Sequence, residues 1–80
     1  MSMSERCVHP VWLQYFSGRP VAEPYLGLET ADARQYAESE GVAEIRELDA
    51  REPGLVRPDL RADRLNLLIE DGIVVDARWG

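Results

Sequence analysis

The spacing of apolar residues predicts one helix, over residues 30–40. Its apolar positions repeat at i, i+3 and i+4 along one helical face, and they are Ala33, Tyr36 and Ala37. Thr30 can cap the first turn, Asp32 suits the positive end of the helix dipole, and Gly41 can end the helix in a left-handed conformation. Because alanine side chains are small, we expect this helix to lie close against a sheet.

Alternating apolar residues and turn signals predict the strands that follow the helix. Val42 to Leu48 forms one strand, and Leu65 to Glu70 pairs with Ile73 to Trp79 as a hairpin. Asp71-Gly72 between the last two is a preferred two-residue type I′ turn. We expect the strand at 42–48 to lie parallel to the strand at 65–70, so the long loop between them crosses one end of the sheet.

The first quarter of the chain carries an aromatic cluster with high strand propensity. Residues 8–16 are predicted to form a short edge strand, confined to an edge by Pro10. We interpret Trp12, Tyr15 and Phe16 as packing against the sheet edge; the alternative is a partner-binding patch or a dimer contact. The chain is therefore divided into an extension, residues 1–22, and a body, residues 23–80, and it is either a monomer or a homodimer through the N-terminal strand.

Together these elements predict a single α+β domain, with one helix packed on a small mixed β-sheet and a long exposed loop. At 80 residues, a folded chain buries only about 60% of the surface that the unfolded chain exposes, so the core is limited. The apolar fraction of 45% is sufficient for a globular fold.

The net charge limits the classes of expected partner, and the cysteine content indicates the expected cellular compartment. The net charge of −6 repels phosphate backbones and anionic lipid, so neither nucleic acid nor a membrane surface is expected as a partner. The one cysteine, Cys7, cannot form an internal disulfide, which is typical of a reducing compartment. With no signal-peptide pattern and no apolar run of about 18 residues, the cytoplasm is the expected location.

The titratable residues do not form a recognisable catalytic or metal site. Cys7 and His9 make a Cys-x-His pair, but zinc needs further ligands and catalysis needs a residue that orients the histidine. The carboxylates of the C-terminal third are interpreted as solvated residues of faces and turns: Asp59, Asp63, Glu70, Asp71 and Asp76. We therefore expect no enzyme, no cofactor and no metal.

Several sequence segments resemble the potato inhibitor I superfamily, which includes eglin and chymotrypsin inhibitor 2. They are Glu23-Pro24-Tyr25-Leu26-Gly27, the helix with its paired alanines, Ile45 to Leu48, Leu60-Arg61-Ala62-Asp63-Arg64-Leu65-Asn66 and Gly80. The Asp-Arg-Leu-Asn run is most similar to a bacterial branch of small proteins regarded as serine-protease inhibitors. The resemblance covers residues 23–80 and implies a rigid loop, residues 55–61, that a protease reads as a substrate mimic.

Carried over position by position, the resemblance assigns a role to each loop residue. Pro58 would be the primary specificity residue. The residues around it would contact the partner on either side of the scissile bond: Val56, Arg57, Asp59 and Leu60. Arg61 and Arg64 match family arginines near the loop, and Arg64 is expected to brace it from below. The alternative for both arginines is a surface ion pair of little energetic value with Asp59 or Asp63.

Two departures from the family pattern open a second interpretation. Such inhibitors bind as an added strand, in which the primary residue donates its backbone N–H to the enzyme, but Pro58 has no N–H and a fixed φ. A register shifted by one makes Arg57 the primary residue, with an equally unsuitable proline after it. Trp79 also replaces a cysteine that bacterial relatives place before the final glycine. The lead function is a protein-binding, inhibitor-like domain; the alternative is a non-inhibitory cytoplasmic interaction or structural module.

Overall fold

The helix α1 and the three strands β1 to β3 define an α+β domain, as the sequence predicted. The computed structural model describes residues 12, 14, 16, 18–52 and 63–80. In that part of the chain, α1 spans Thr30–Ser39, β1 Glu44–Asp49, β2 Arg64–Glu70 and β3 Ile73–Trp79, with a short 3-10 helix at Glu23–Tyr25. The sheet order is β1-β2-β3, so β2 is central.

The central strand pairs in opposite directions with its two neighbours. It lies parallel to β1, with Glu44 opposite Arg64 and Asp49 opposite Ile69, which confirms the predicted parallel pair. It lies antiparallel to β3. Asp71 and Gly72 both have positive φ, 54° and 79°, as a type I′ turn requires, so the predicted hairpin is confirmed.

A bulge in β3 matches that strand to the core. Leu68 pairs with Asp76 and Ile69 with Val74, so Val75 is an extra residue in β3. A bulge shifts the alternation of side chains by one position. Val74 and Ala77, three residues apart, therefore both face the α1 side of the sheet.

The helix α1 ends as predicted but begins differently. Glu40 is its C-cap, and Gly41 follows with φ 78°. The N–H groups of Gly41 and Val42 donate to Glu38 O and Ala37 O, the paired bonds of a Schellman motif. The prediction that Thr30 caps the helix is wrong: Glu29 is the N-cap without a side-chain capping bond, and Thr30 is the first helical residue.

Thr30 instead joins the helix to the hairpin turn. Both its backbone N–H, at 2.9 Å, and its hydroxyl, at 3.0 Å, donate to the carbonyl oxygen of Gly72. The tertiary bond replaces the local one because the β2–β3 turn lies directly against the start of the helix. Residues before the helix also cover the outer edge of β3, through bridges between Val21 and Arg78 and between Glu29 and Ile73.

The first hydrophobic cluster lies between α1 and the sheet. Ala33 and Ala37 of α1 are fully buried against residues of β2 and β3: Leu65, Leu67, Val74 and Ala77. The small helical side chains thus bring α1 close to the sheet, as expected. Tyr36, predicted as part of the same apolar stripe, is instead 40% exposed.

A second cluster covers the opposite face of the sheet and corrects the prediction for the N-terminal region. Trp12, Gln14 and Phe16 are helical, so the predicted edge strand is wrong at these residues. Trp12 and Phe16 are fully buried with Leu48, Ala50 and Leu68, and they pack on the sheet face rather than its edge. A homodimer that pairs through an N-terminal strand would need a strand at these positions, and they are helical instead. Tyr15 lies outside the described residues.

The spacing of the two aromatic residues explains this difference. An i, i+4 pair lies on one side of a helix, and the rings of Trp12 and Phe16 stack with centroids 4.3 Å apart while Gln14 is exposed. A strand would put all three side chains on one face. The strand propensity of aromatic residues depends on context, and here the open sheet face favours the helical arrangement.

Replacing Phe16 by alanine tests the second cluster. We expect Phe16→Ala to lower the free energy of unfolding by about 3–5 kcal/mol, because it leaves a cavity against Leu68. Gln14→Ala, in the same helical segment but exposed, should change it by less than about 0.5 kcal/mol. Urea denaturation followed by far-ultraviolet circular dichroism measures both values. Equal midpoints for the two variants would show that this segment does not pack on the sheet.

Candidate functional site

The candidate site is the connection from β1 to β2, residues 50–63, of which the structure describes the two ends. Because β1 and β2 are parallel, this connection must carry the chain back from the end of β1 to the start of β2. The predicted partner-binding residues lie outside the described residues, as does Arg61: Val56, Arg57, Pro58, Asp59 and Leu60. Their roles remain predictions.

A turn after Asp49 anchors the first end of the connection. The Asp49 carboxylate accepts the N–H of Arg51 at 2.8 Å, and its carbonyl accepts the N–H of Glu52 at 3.2 Å. Ala50, 4% exposed, donates its N–H to Ile69 O at 2.8 Å. An aspartate that bonds the N–H two residues ahead favours a tight turn, so the chain leaves the sheet in a defined direction.

Arg64 anchors the second end, as the first residue of β2. Its side chain is buried, with 3% exposure, and Nη2 donates to Gly80 O at 2.9 Å. The N–H of Gly80 in turn donates to Arg64 O at 2.9 Å. The sequence placed Arg64 at the base of the loop; the structure shows that this base is tied to the end of β3. Whether Arg64 braces the loop itself is still a prediction.

Two arginine side chains converge on the carbonyl oxygen of Gly80. Arg19 Nη1 also donates to Gly80 O, at 3.1 Å, and its guanidinium lies 4.7 Å from the centre of the Phe16 ring. Gly80 has φ 124°, and a Cβ there would come within 2.8 Å of Arg19 Cδ. The backbone conformation therefore favours glycine, and a side chain at this position would require Arg19 to shift.

A polar network around Asp76 connects the N-terminal segment to β3. Trp12 Nε1 donates to Asp76 Oδ2 at 2.6 Å, and Arg78 Nε donates to Asp76 Oδ1 at 3.2 Å. Arg78 Nη1 also donates to the carbonyls of Phe16 and Arg19, each at 3.1 Å. The interpretation of Asp76 as a solvated carboxylate is therefore wrong, because its side chain is only 16% exposed and orders the second cluster.

The sequence analysis missed Arg19 and Arg78 as structural residues. Their contacts join positions about sixty residues apart in the chain: Arg19 with Gly80 and Arg78 with Phe16. No local pattern signals such contacts. Asn66, quoted above only for the resemblance, is fully buried, and its amide donates to Arg78 O at 3.2 Å.

The structure describes three of the other carboxylates. Asp63 is exposed, and Glu70 and Asp71 lie near Arg51 at 3.8 and 3.3 Å. Asp59, Cys7 and His9 lie outside the described residues. Within residues 12, 14, 16, 18–52 and 63–80, no group of three metal-binding side chains is close enough to hold an ion, and no helix is long and apolar enough to span a membrane.

Comparison with known proteins does not assign this chain to a family. No protein-family model and no curated protein matches its sequence. The resemblance to potato inhibitor I proteins therefore depends on the residues quoted above.

Substituting Arg64 by lysine tests whether it supports the loop. Lysine keeps the charge but cannot form the forked hydrogen bonds of a guanidinium. We expect Arg64→Lys to speed cleavage within residues 55–61 about fivefold in limited proteolysis, as for a lost hydrogen bond of about 1 kcal/mol. Mass spectrometry of the fragments locates the cut.

Arg51→Lys is the matched control, because Arg51 lies at the other end of the connection with its side chain 68% exposed. This control should cleave at the wild-type rate. Equal rates for all three proteins would refute the supporting role of Arg64. Cuts spread over the whole chain would indicate global unfolding instead.

Proposed function

We propose that this chain is a non-enzymatic protein-binding domain that presents residues 55–61 to a partner protein. The parallel pairing of β1 with β2 is the observation that supports this function most, because it requires a long return segment across the sheet. The connection of residues 50–63 is longer than most connections in compact domains, and long connections commonly carry function.

The anchoring of both ends supports a binding role for this segment. Asp49 holds the first end through its turn, and Arg64 holds the second through Gly80. Ordering a loop during binding costs conformational entropy, so fixing its ends beforehand improves affinity. The fixed ends therefore suit a segment that a partner recognises in an extended conformation.

The resemblance to potato inhibitor I proteins implies a serine protease as the partner class. In that case Pro58 would occupy the primary specificity position, where a backbone N–H is needed for the added-strand hydrogen bond. Restoring this N–H should improve inhibition if the register is correct.

A gain-of-function variant tests the protease as partner. We expect Pro58→Leu to inhibit a subtilisin-like or chymotrypsin-like protease about tenfold more strongly than the wild type, because it restores one hydrogen bond and fills the specificity pocket. Pro53→Leu, the same substitution outside residues 55–61, should have no effect. The measurement is residual protease activity at increasing ratios of this chain to enzyme.

Prompt cleavage of Pro58→Leu without inhibition would exclude a substrate-mimic loop. A prolyl-specific protease belongs in the same panel, since the wild-type chain offers it a proline at the primary position. A wild type that this protease cuts after Pro58 without being inhibited is a substrate rather than an inhibitor.

The absence of an N–H at Pro58 favours a second candidate, a non-inhibitory cytoplasmic interaction module on the same scaffold. This candidate predicts a partner that binds the wild type stably while no protease is inhibited. Leu60→Asp should abolish that binding, whereas Leu26→Asp, at an apolar residue 40% exposed outside the loop, should preserve it. Quantitative co-purification measures both, and loss of binding with Leu26→Asp alone would move the interface away from the loop.

A further inference from the structure

An aromatic cleft lies on the α1 side of the sheet. It has a volume of about 270 Å³, and residues from the 3-10 helix, α1 and the end of β3 form its walls. Three of these residues are aromatic: Tyr25, Tyr36 and Trp79. A typical pocket for a drug-sized ligand measures roughly 300–1,000 Å³, so this cleft has room for a single small group.

The three rings that line the cleft pack against one another. The ring centres of Tyr25 and Tyr36 are 5.1 Å apart with planes inclined at 53°, and those of Tyr25 and Trp79 are 6.2 Å apart and nearly perpendicular, at 82°. Tyr25 is buried, whereas Tyr36 is 40% exposed. Tyr36 is therefore a ring that a ligand in the cleft can reach, whereas Tyr25 supports it from within the core.

Glu40 is the single charged residue among the described residues that line the cleft. Its negative charge lies close enough to act on Tyr25: burial is the main cause that raises the pKa of this phenol, followed by the effects of Tyr36 and Glu40. No described arginine lines the cleft to neutralise the carboxylate. Among the described residues, the lining therefore combines three aromatic rings with one negative charge and no positive one.

We propose that this cleft binds a quaternary ammonium group through Tyr25, Tyr36, Trp79 and Glu40. Aromatic rings attract a cation over their faces, and most strongly when it is readily desolvated. A quaternary ammonium has no N–H to satisfy, so a wall of rings with one carboxylate suits it better than a primary ammonium, which carries three donors. A neutral apolar ligand would instead desolvate Glu40 without compensation. The negative net charge of the chain further favours the approach of a cation.

Titration with choline tests the proposal directly. The chain has two tryptophans, whose indole N–H signals are resolved by NMR and assigned with Trp12→Phe and Trp79→Phe. We expect choline to shift the Trp79 signal saturably, with a dissociation constant on the order of 1 mM. The Trp12 signal should remain unchanged, because Trp12 is buried in the cluster on the opposite face.

The neutral carbon isostere of choline separates charge recognition from simple apolar contact. It has the same shape but no charge, so we expect it to bind about tenfold more weakly. Equal affinity for the two compounds, or no shift of Trp79 with choline, would overturn the proposal. A peptide bearing trimethyllysine, compared with choline, shows whether the ammonium belongs to a free small molecule or to a protein side chain.

Two substitutions test the residues that the proposal names. Tyr36→Leu removes the exposed ring and Glu40→Gln removes the charge, and each should weaken choline binding about three- to fivefold. Glu38→Gln, on the same helix but outside the lining of the cleft, should leave it unchanged. An unchanged Trp12 signal verifies the fold of every variant. If Glu40→Gln binds as tightly as Glu38→Gln, the carboxylate has no role and the proposal fails.

Discussion

The burial of β2 on both faces is the constraint on which the rest of the structure depends. Every residue from Arg64 to Leu68 is buried. Covering one face of the sheet is not sufficient to bury this strand, so both faces must be covered. α1 covers one face through Ala33 and Ala37. The N-terminal aromatic residues cover the other, and the sheet thereby becomes the middle layer of the domain.

Double burial also places polar groups where water cannot reach them, and buried polar groups need partners. Arg64 and Asn66 share the β2 face opposite α1 and bond to the carbonyls of Gly80 and Arg78. These bonds fix the end of β3 against the start of β2, where the β1–β2 connection rejoins the sheet. Arg64 and Asn66 thus belong to the core, and Arg64 is also the residue at which the connection returns to the sheet.

Different parts of the fold create the two candidate sites. The parallel strand pair produces the long connection that carries the proposed partner-binding residues, whereas the aromatic cleft arises where the 3-10 helix, the C-terminal half of α1 and the end of β3 meet. Tyr25, Tyr36 and Trp79 are far apart in the chain, and Tyr36 follows the apolar spacing of the helix. Its exposure is evident only from the tertiary structure, because Ala33 and Ala37 complete the contact between α1 and the sheet without it.

α1, its glycine-capped end, the Asp71-Gly72 turn and the hairpin could all be predicted from the amino-acid sequence, since short-range spacing and turn chemistry specify each of them. The parallel direction of β1 could also be predicted, from the helix before it and the long connection after it. The conformation of Trp12 and Phe16, the role of Thr30 and the contacts of Arg19, Arg78 and Asp76 could not be predicted in this way and became clear only from the packing of the folded chain. These features join residues that are distant in the chain. Tertiary contacts override local propensity where burial of a sheet face and pairing of buried polar groups stabilise the fold by more than the propensity does.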